Sequence, residues 1–255
     1  MGGGRLPDSV PGHAGEMTHG EDPAHRNDDP ALMLLGRTRA LCEGCLDTVG
    51  VDGSAIAVFA GDTTRDLVYA TDSTAESIDE LQFTLGEGPC LAAYRSHRPE
   101  LHADLADPAV SARWPAFAPE LVALGVRGIY AFPLGLWNGG RVGVLELYSD
   151  KPRTLDVAQY RAAEDCAAML GPTVLEELDP TRYPSVWTDP ALFPHGNVHV
   201  AAGMMAGQLR ISPADAISRL RAMAFAEDRR ITALAEDIIA ARVTFPPEEP
   251  RGERG

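Results

Sequence analysis

The sequence predicts an α+β domain, in which an antiparallel sheet carries flanking helices, followed by a small all-α unit of three helices. Three observations carry that prediction. Two hairpin signals occur, one across 54–71 and a stronger one pairing Arg127–Trp137 with Arg141–Ser149 about Asn138-Gly139-Gly140. Amphipathic helical patterns bracket them, near 29–49 and 155–178. Finally, Val198–Phe245 reads as three successive helices with alanine-rich stripes and almost no spacer.

In chain order, residues 1–28 are rich in Gly, Pro, His and Asp, and the composition predicts a disordered tail. His13, His19 and His25 recur in it at a spacing that a metal-binding tail could use, but a solvated tail is favoured. Leu34, Thr38, Leu41, Cys42, Cys45 and Val49 share one helical face, and Gly50 and Gly53 end the helix. Ser54–Ala60 and Asp66–Thr71 flank a turn at Gly61–Thr64. A short helix is expected over Ala75–Leu81, and Pro89 opens another that runs to His97. Glu100–Asp104 reads as a short strand and Ala112–Leu124 as one helix. Pro133 implies a bulge or a non-donating position in its strand. The stripe Ala163, Cys166, Ala167, Leu170 and Val174 predicts a long helix that Gly171-Pro172 should break or kink. Four prolines between Asp179 and Asn197 suggest a linker, and 246–255 a second disordered tail.

Charge is unevenly placed. The chain carries a net charge of −15, yet from Asn197 onward arginines and acidic residues balance. The acidic part should repel phosphate, so only the tail can approach a nucleic acid. No apolar run approaches the roughly 18 residues of a membrane span, and the N-terminus has no apolar signal-peptide core; the expectation is a cytoplasmic protein without a membrane partner. The four cysteines fit reduced thiols rather than a disulfide framework. Cys42-Glu-Gly-Cys45 has redox or metal spacing, but its place in a helical stripe favours two buried cysteines. No metal or cofactor is expected.

The turn and helix Gly86-Glu87-Gly88-Pro89-Cys90-Leu91-Ala92-Ala93, then Phe132-Pro133-Leu134 and Gly143-Val144-Leu145-Glu146-Leu147-Tyr148, resemble GAF domains over roughly 29–178. The resemblance implies a PAS-like antiparallel sheet with a small-ligand pocket beneath the glycine turn. It would place Phe59, Tyr69, Phe83, Cys90, Tyr130 and Trp137 near that pocket, although each reads more readily as ordinary core. Some GAF-fold proteins are free-methionine-sulfoxide reductases that use a cysteine in such a turn. Cys90 occupies a similar place, but 96–131 holds no second thiol to resolve the intermediate. The cyclic-nucleotide run Asn-Lys-Phe-Asp-Glu is absent.

In the tail, Ser212-Pro213-Ala214-Asp215 is a helix start, with serine as cap and proline in the first turn. The buried stripes are expected to be Ala216, Ile217, Leu220, Met223 and Ala224, then Leu234, Ala235, Ile238 and Ile239, with Gly203 allowing close helix approach. The pieces Ala201-Ala202-Gly203-Met204, Ile211–Ala216, Arg219–Ala224, Arg229-Arg230 and Leu234-Ala235 resemble an ANTAR domain over 197–245, joined to the sensor by a linker at 179–196. Many relatives carry a polar residue where Val200 stands and some a lysine where Ala202 stands, so helix one here has no positive charge before Arg210. The resemblance implies a transcription antiterminator that binds paired stem-loops in nascent RNA as a homodimer, without catalysis, under a small-molecule or protein signal read by the GAF domain. Candidate RNA contacts are Arg210, Arg219, Arg221, Arg229 and Arg230, with Gln208 reaching a base edge. A DNA-reading helix-turn-helix is the competing nucleic-acid reading; Glu236 and Asp237 on the third helix disfavour it. A bare dimerisation module would bind no RNA.

Overall fold

The computed structural model describes residues 35–60, 64–182, 193–227, 229–243 and 245. The two tails with their histidines, the turn residues 61–63, most of the linker and Asp228 lie outside the described residues. The first unit comprises α1 (Gly36–Val49), β1 (Gly53–Ala60), β2 (Thr64–Ala70), α2 (Ser73–Leu85), α3 (Pro89–Ser96), β3 (Glu100–His102), α4 (Pro108–Arg113), α5 (Phe117–Ala123), β4 (Gly128–Gly135), β5 (Arg141–Ser149) and α6 (Val157–Glu177). The second comprises α7 (Gly196–Leu209), α8 (Pro213–Ala226) and α9 (Ile231–Ile239).

The five strands form one antiparallel sheet in the order β2-β1-β5-β4-β3. Alternation decides its two faces. Ile56, Tyr130, Phe132, Leu134, Leu145 and Leu147 pack on α1 and α6, whose stripe includes Cys42, Cys45, Ala163, Cys166 and Leu170. Ala55, Ala57, Ala131 and Val144 turn the other way, under α2 to α5. These small side chains leave the second face shallow, with room for polar groups. Pro133 pairs with Val144, and the register shifts just beyond it, between Leu134 and Gly135.

Helix ends are fixed by identifiable caps. α1 begins without a side-chain cap of its own; Glu177 on α6 supplies one, accepting the Arg37 and Thr38 backbone N–H groups at 3.0 and 3.1 Å and the Thr38 hydroxyl at 2.7 Å. Asp156 and Gln159 form a capping box at the other end of α6, and Gln159 also donates to the Val49 carbonyl at 2.9 Å. The two helices are thus clipped at both ends.

Several expectations need correction. The helix expected over 112–124 is two helices. Asp107 caps the first, with Pro108 at its start, and the chain leaves helical geometry at Trp114, before Pro115. The helix expected over 75–81 starts at Ser73, because Asp72 accepts the Thr74 and Ala75 N–H groups, and continues to Leu85, where Gly86 takes a left-handed conformation. Gly171-Pro172 does not break α6, which runs on to Glu177. There, a side chain on Gly171 would approach the Gly135 carbonyl oxygen to 2.5 Å, so glycine at this position lets helix and strand touch. The β4 strand stops before Trp137, which is 86% exposed.

In the second unit Val198, Ala201, Ala202 and Met205 from α7, Ala216, Ile217, Leu220 and Ala224 from α8, and Ile231, Leu234, Ala235 and Ile238 from α9 share one core. Ser212 caps α8 as the sequence suggested, accepting the Asp215 N–H at 3.1 Å. Met223 is only half-buried and Ile239 is exposed, both at the margins of their stripes. Gly203 faces solvent with nothing near an added side chain, so it does not mediate helix approach.

These two glycines should therefore respond oppositely to alanine. Gly171→Ala is expected to destabilise by about 1–3 kcal/mol through overpacking against β4, whereas Gly203→Ala is expected to stabilise by up to about 1 kcal/mol through helix propensity. Urea denaturation of the two variants checks both signs.

Candidate functional site

The extra turn of α2 carries two residues that organise the junction between the units, Gln82 and Phe83. Phe83 is fully buried, and its neighbours are the core residues of α7, α8 and α9. His195, just before α7, stacks on its ring at 3.7 Å and 11°, and His199 meets it edge-on at 5.9 Å. Two guanidinium groups also lie over the ring, Arg65 at 5.7 Å and Arg221 at 5.5 Å.

Charged partners surround this stack. The His195 backbone N–H donates to Asp66 at 2.9 Å, and its Nε2 lies 3.1 Å from Glu80. Glu80 also accepts the Thr232 hydroxyl at 3.1 Å and lies 3.9 Å from Arg230 Nε. Arg221 Nε donates to the Phe83 carbonyl at 2.8 Å, and His199 Nε2 sits 3.4 Å from the Arg65 carbonyl. Burial would raise the Glu80 carboxyl, but the hydrogen bond and charge of His195, with help from Arg230 and Thr232, hold it below the ordinary value. Asp66 goes the other way: burial lifts it to about 6 against the contacts from His195.

Beneath the stack, polar groups fill the shallow face of the sheet. Arg65 pairs with Asp79 at 2.8 Å, donates to the Asp79 carbonyl at 2.7 Å and reaches the Cys90 sulfur at 3.2 Å. Gln82 Nε2 donates to both Glu146 oxygens at 2.8 Å, while its Oε1 accepts the Cys90 N–H at 2.9 Å. Gly88 has φ +134°, and a side chain there would strike Gln82 Oε1 at 2.3 Å, so the glycine turn and the Gln82 bridge require each other. Burial pushes the Cys90 thiol well up, an effect that Arg65 only partly offsets. A nucleophilic thiol needs the opposite environment.

The residues proposed from sequence fall in different places. Phe59 is half-buried and stacks on Tyr94 at 3.8 Å. Cys90 lies with Ala57 and Val144 on the shallow face, whereas Tyr130 and Tyr69 belong to the core on the α1–α6 side. Phe83 sits in the helical unit's core and Trp137 is exposed, so the six do not line one cavity. Among the RNA candidates, Gln208, Arg210, Arg219 and Arg230 are exposed. Arg221 is tucked against Phe83, and Arg229 pairs with Asp237 at 2.6 Å and Glu227 at 3.3 Å. Arg65, Asp79, Glu80, Glu146 and His195 were not anticipated. One signal was available: Arg65 and Asp66 are adjacent in a strand, so one of them must point inward. His195 gave none, standing in a proline-rich stretch.

Among the described residues, no group of three or more potential ligands could hold a metal, and no helix is long and apolar enough to cross a membrane.

The buried carboxyl of Glu146 has a measurable consequence. Burial raises it from 4.5 to about 7, opposed by Gln82. The folded state then binds this proton more tightly than the unfolded chain, so the contribution to stability is complete below the unfolded value and is lost as pH rises through the folded one. The melting temperature of Glu146→Gln should gain on that of the parent between pH 4.5 and 7. A difference that stays flat over that range would show that the carboxyl titrates normally.

A search of the curated proteins finds no match. Among solved structures, a domain described as part of a two-component sensor histidine kinase from Sinorhizobium meliloti is similar at 18% identity, covering 58% of this chain and 95% of that one, with a TM-score of 0.46. A GAF domain of a sensor histidine kinase from Bacillus halodurans matches at 14% identity over 54% of this chain and 93% of its own, with a TM-score of 0.40. The type II free methionine-R-sulfoxide reductase of Thermoplasma acidophilum matches at 16% identity over 58% and 96%, with a TM-score of 0.40. The GAF domain family itself matches residues 38–171, more than half of the sequence, and the chain belongs to that family.

Proposed function

We propose that this chain is a signal-responsive RNA-binding regulator of the antitermination type. In this reading the GAF domain governs whether α7 to α9, which resemble an ANTAR domain, can engage paired stem-loops in nascent RNA. The observation that carries it is the position of Arg221. This residue stands within the Arg219–Ala224 segment of the resemblance, yet its guanidinium is held at the Phe83 carbonyl of the sensor unit. Burial, with the neighbouring charges of Arg65 and Arg95, lowers it to about 10, so the docked position is costly for the cation. Arg210, Arg219 and Arg230 stay exposed on the same unit. The docked form therefore offers only part of an arginine surface, and release of Arg221 from the Phe83 carbonyl and of Arg230 from Glu80 would complete it. In this reading a homodimer would present two helical units to two stem-loops.

Binding of the full chain to an RNA with two stem-loops, followed across a salt series, tests this reading. The Arg221/Arg229/Arg230 triple alanine variant is expected to lose affinity, with the salt slope falling by about 1 for each lost phosphate contact. Glu80→Ala, which releases Thr232, Arg230 and His195, is expected to bind several-fold more tightly than the parent. Absence of RNA binding by both the parent and Glu80→Ala, or equal binding by the triple variant, would overturn it.

A further inference from the structure

A cleft of about 200 Å3 opens where α8 faces the sensor unit, and its lining is unusual for so acidic a chain. Three arginines reach it: Arg65 from β2, Arg95 from the last turn of α3 and Arg221 from α8. Its apolar walls come from Phe59, Leu91 and Ile217, and among the described residues no aspartate or glutamate lines it. Among the described residues, only Arg65 of the three has a carboxylate partner, Asp79, and even there Arg65 Nε is buried without a hydrogen bond. Arg221 uses Nε alone, on the Phe83 carbonyl. Like charges brought together, two of them partly or wholly out of water, are costly unless an anion joins them. That cost is visible in Arg221, whose ionisation is depressed by burial and then by Arg65 and Arg95.

We infer that this cleft is a binding site for a small organic phosphomonoester, held between the sensor unit and the helical unit. The charge balance selects the ligand class. Asp79 neutralises Arg65, so Arg95 and Arg221 leave two positive charges for a dianion, and a phosphate offers several acceptor oxygens to the guanidinium donors. The volume admits a phosphate on a short carbon carrier, with the carrier against Phe59, Leu91 and Ile217. Because Arg95 belongs to one unit and Arg221 to the other, the ligand bridges them and stabilises the docked arrangement by mass action. Any effect on RNA rests on the proposed function, whereas binding of the ligand does not.

The test therefore contains no RNA. The full-length protein is titrated calorimetrically with glycerol 3-phosphate and, separately, with inorganic phosphate, at ionic strength held constant with chloride. One saturable site per chain is expected for both, with glycerol 3-phosphate the tighter because of the apolar walls, and with a rise in melting temperature that chloride does not give. Arg95→Gln, at an exposed position, should melt no lower than the parent without ligand, because it removes a like charge beside Arg221, and should weaken binding at least about tenfold. Arg221→Gln should weaken it similarly. Stabilisation that fails to saturate, that chloride reproduces, or that survives unchanged in Arg95→Gln would overturn the site. Tighter binding of inorganic phosphate than of the ester would overturn the assigned ligand class.

Discussion

Phe83 belongs to the first unit by chain position and to the second by burial. This single insertion is the constraint on which the arrangement depends. A three-helix unit of this size buries too little surface to be comfortable alone, and its stripes are rich in alanine, which fills little volume. A large aromatic ring supplied from outside completes the core. A fully buried side chain of this size is worth about 1.5–3 kcal/mol, and the stacked His195 ring adds contact on one side. The sensor unit thereby contributes directly to the folding of the helical unit, and neither core can be repacked without affecting the other.

The polar groups around that ring follow from the same junction. Arg65 stands almost fully buried opposite Phe59 in the sheet, and it is tolerable there because Asp79, Cys90 and the Asp79 carbonyl take its two terminal nitrogens. A buried pair of this kind gains little stability over apolar packing but is costly to break. It therefore acts on geometry: it fixes α2 against β2, and with α2 fixed, Gln82 meets Glu146 and Phe83 meets the helical unit. Cys90, which as a turn cysteine invites comparison with thiol enzymes of this fold, is enclosed by the network, with its sulfur at Arg65 and its N–H on Gln82.

Much of the fold was legible because it is local. Strand alternation, the Asn-Gly-Gly turn, the Ser212-Pro213 cap and the α6 stripe each rest on neighbours in sequence, and the structure has them where the pattern put them. What could not be read is non-local. The capping of α1 by Glu177 joins residues 139 positions apart, and the His195–Asp66 contact joins residues 129 apart. Pro172 illustrates the same limit, since a local rule predicted a break, whereas packing of Gly171 on Gly135 holds the helix in line. The candidate site suffered most. Arg221 could be found from the helix pattern but its partner Phe83 could not, and His195 stood in a stretch whose prolines signal only irregular chain.

The paired clips on α1 and α6 carry a mechanical consequence. Glu177 grips the start of α1 while Gln159 grips its end, so the two helices cannot slide past each other by one turn, about 5.4 Å, without releasing both grips together. Small axial slippage is thus excluded as a way of moving force along this face of the sheet. The pair is tied as one piece: an axial displacement of α1 pulls on Glu177, at the end of the helix from which the chain sets out toward His195.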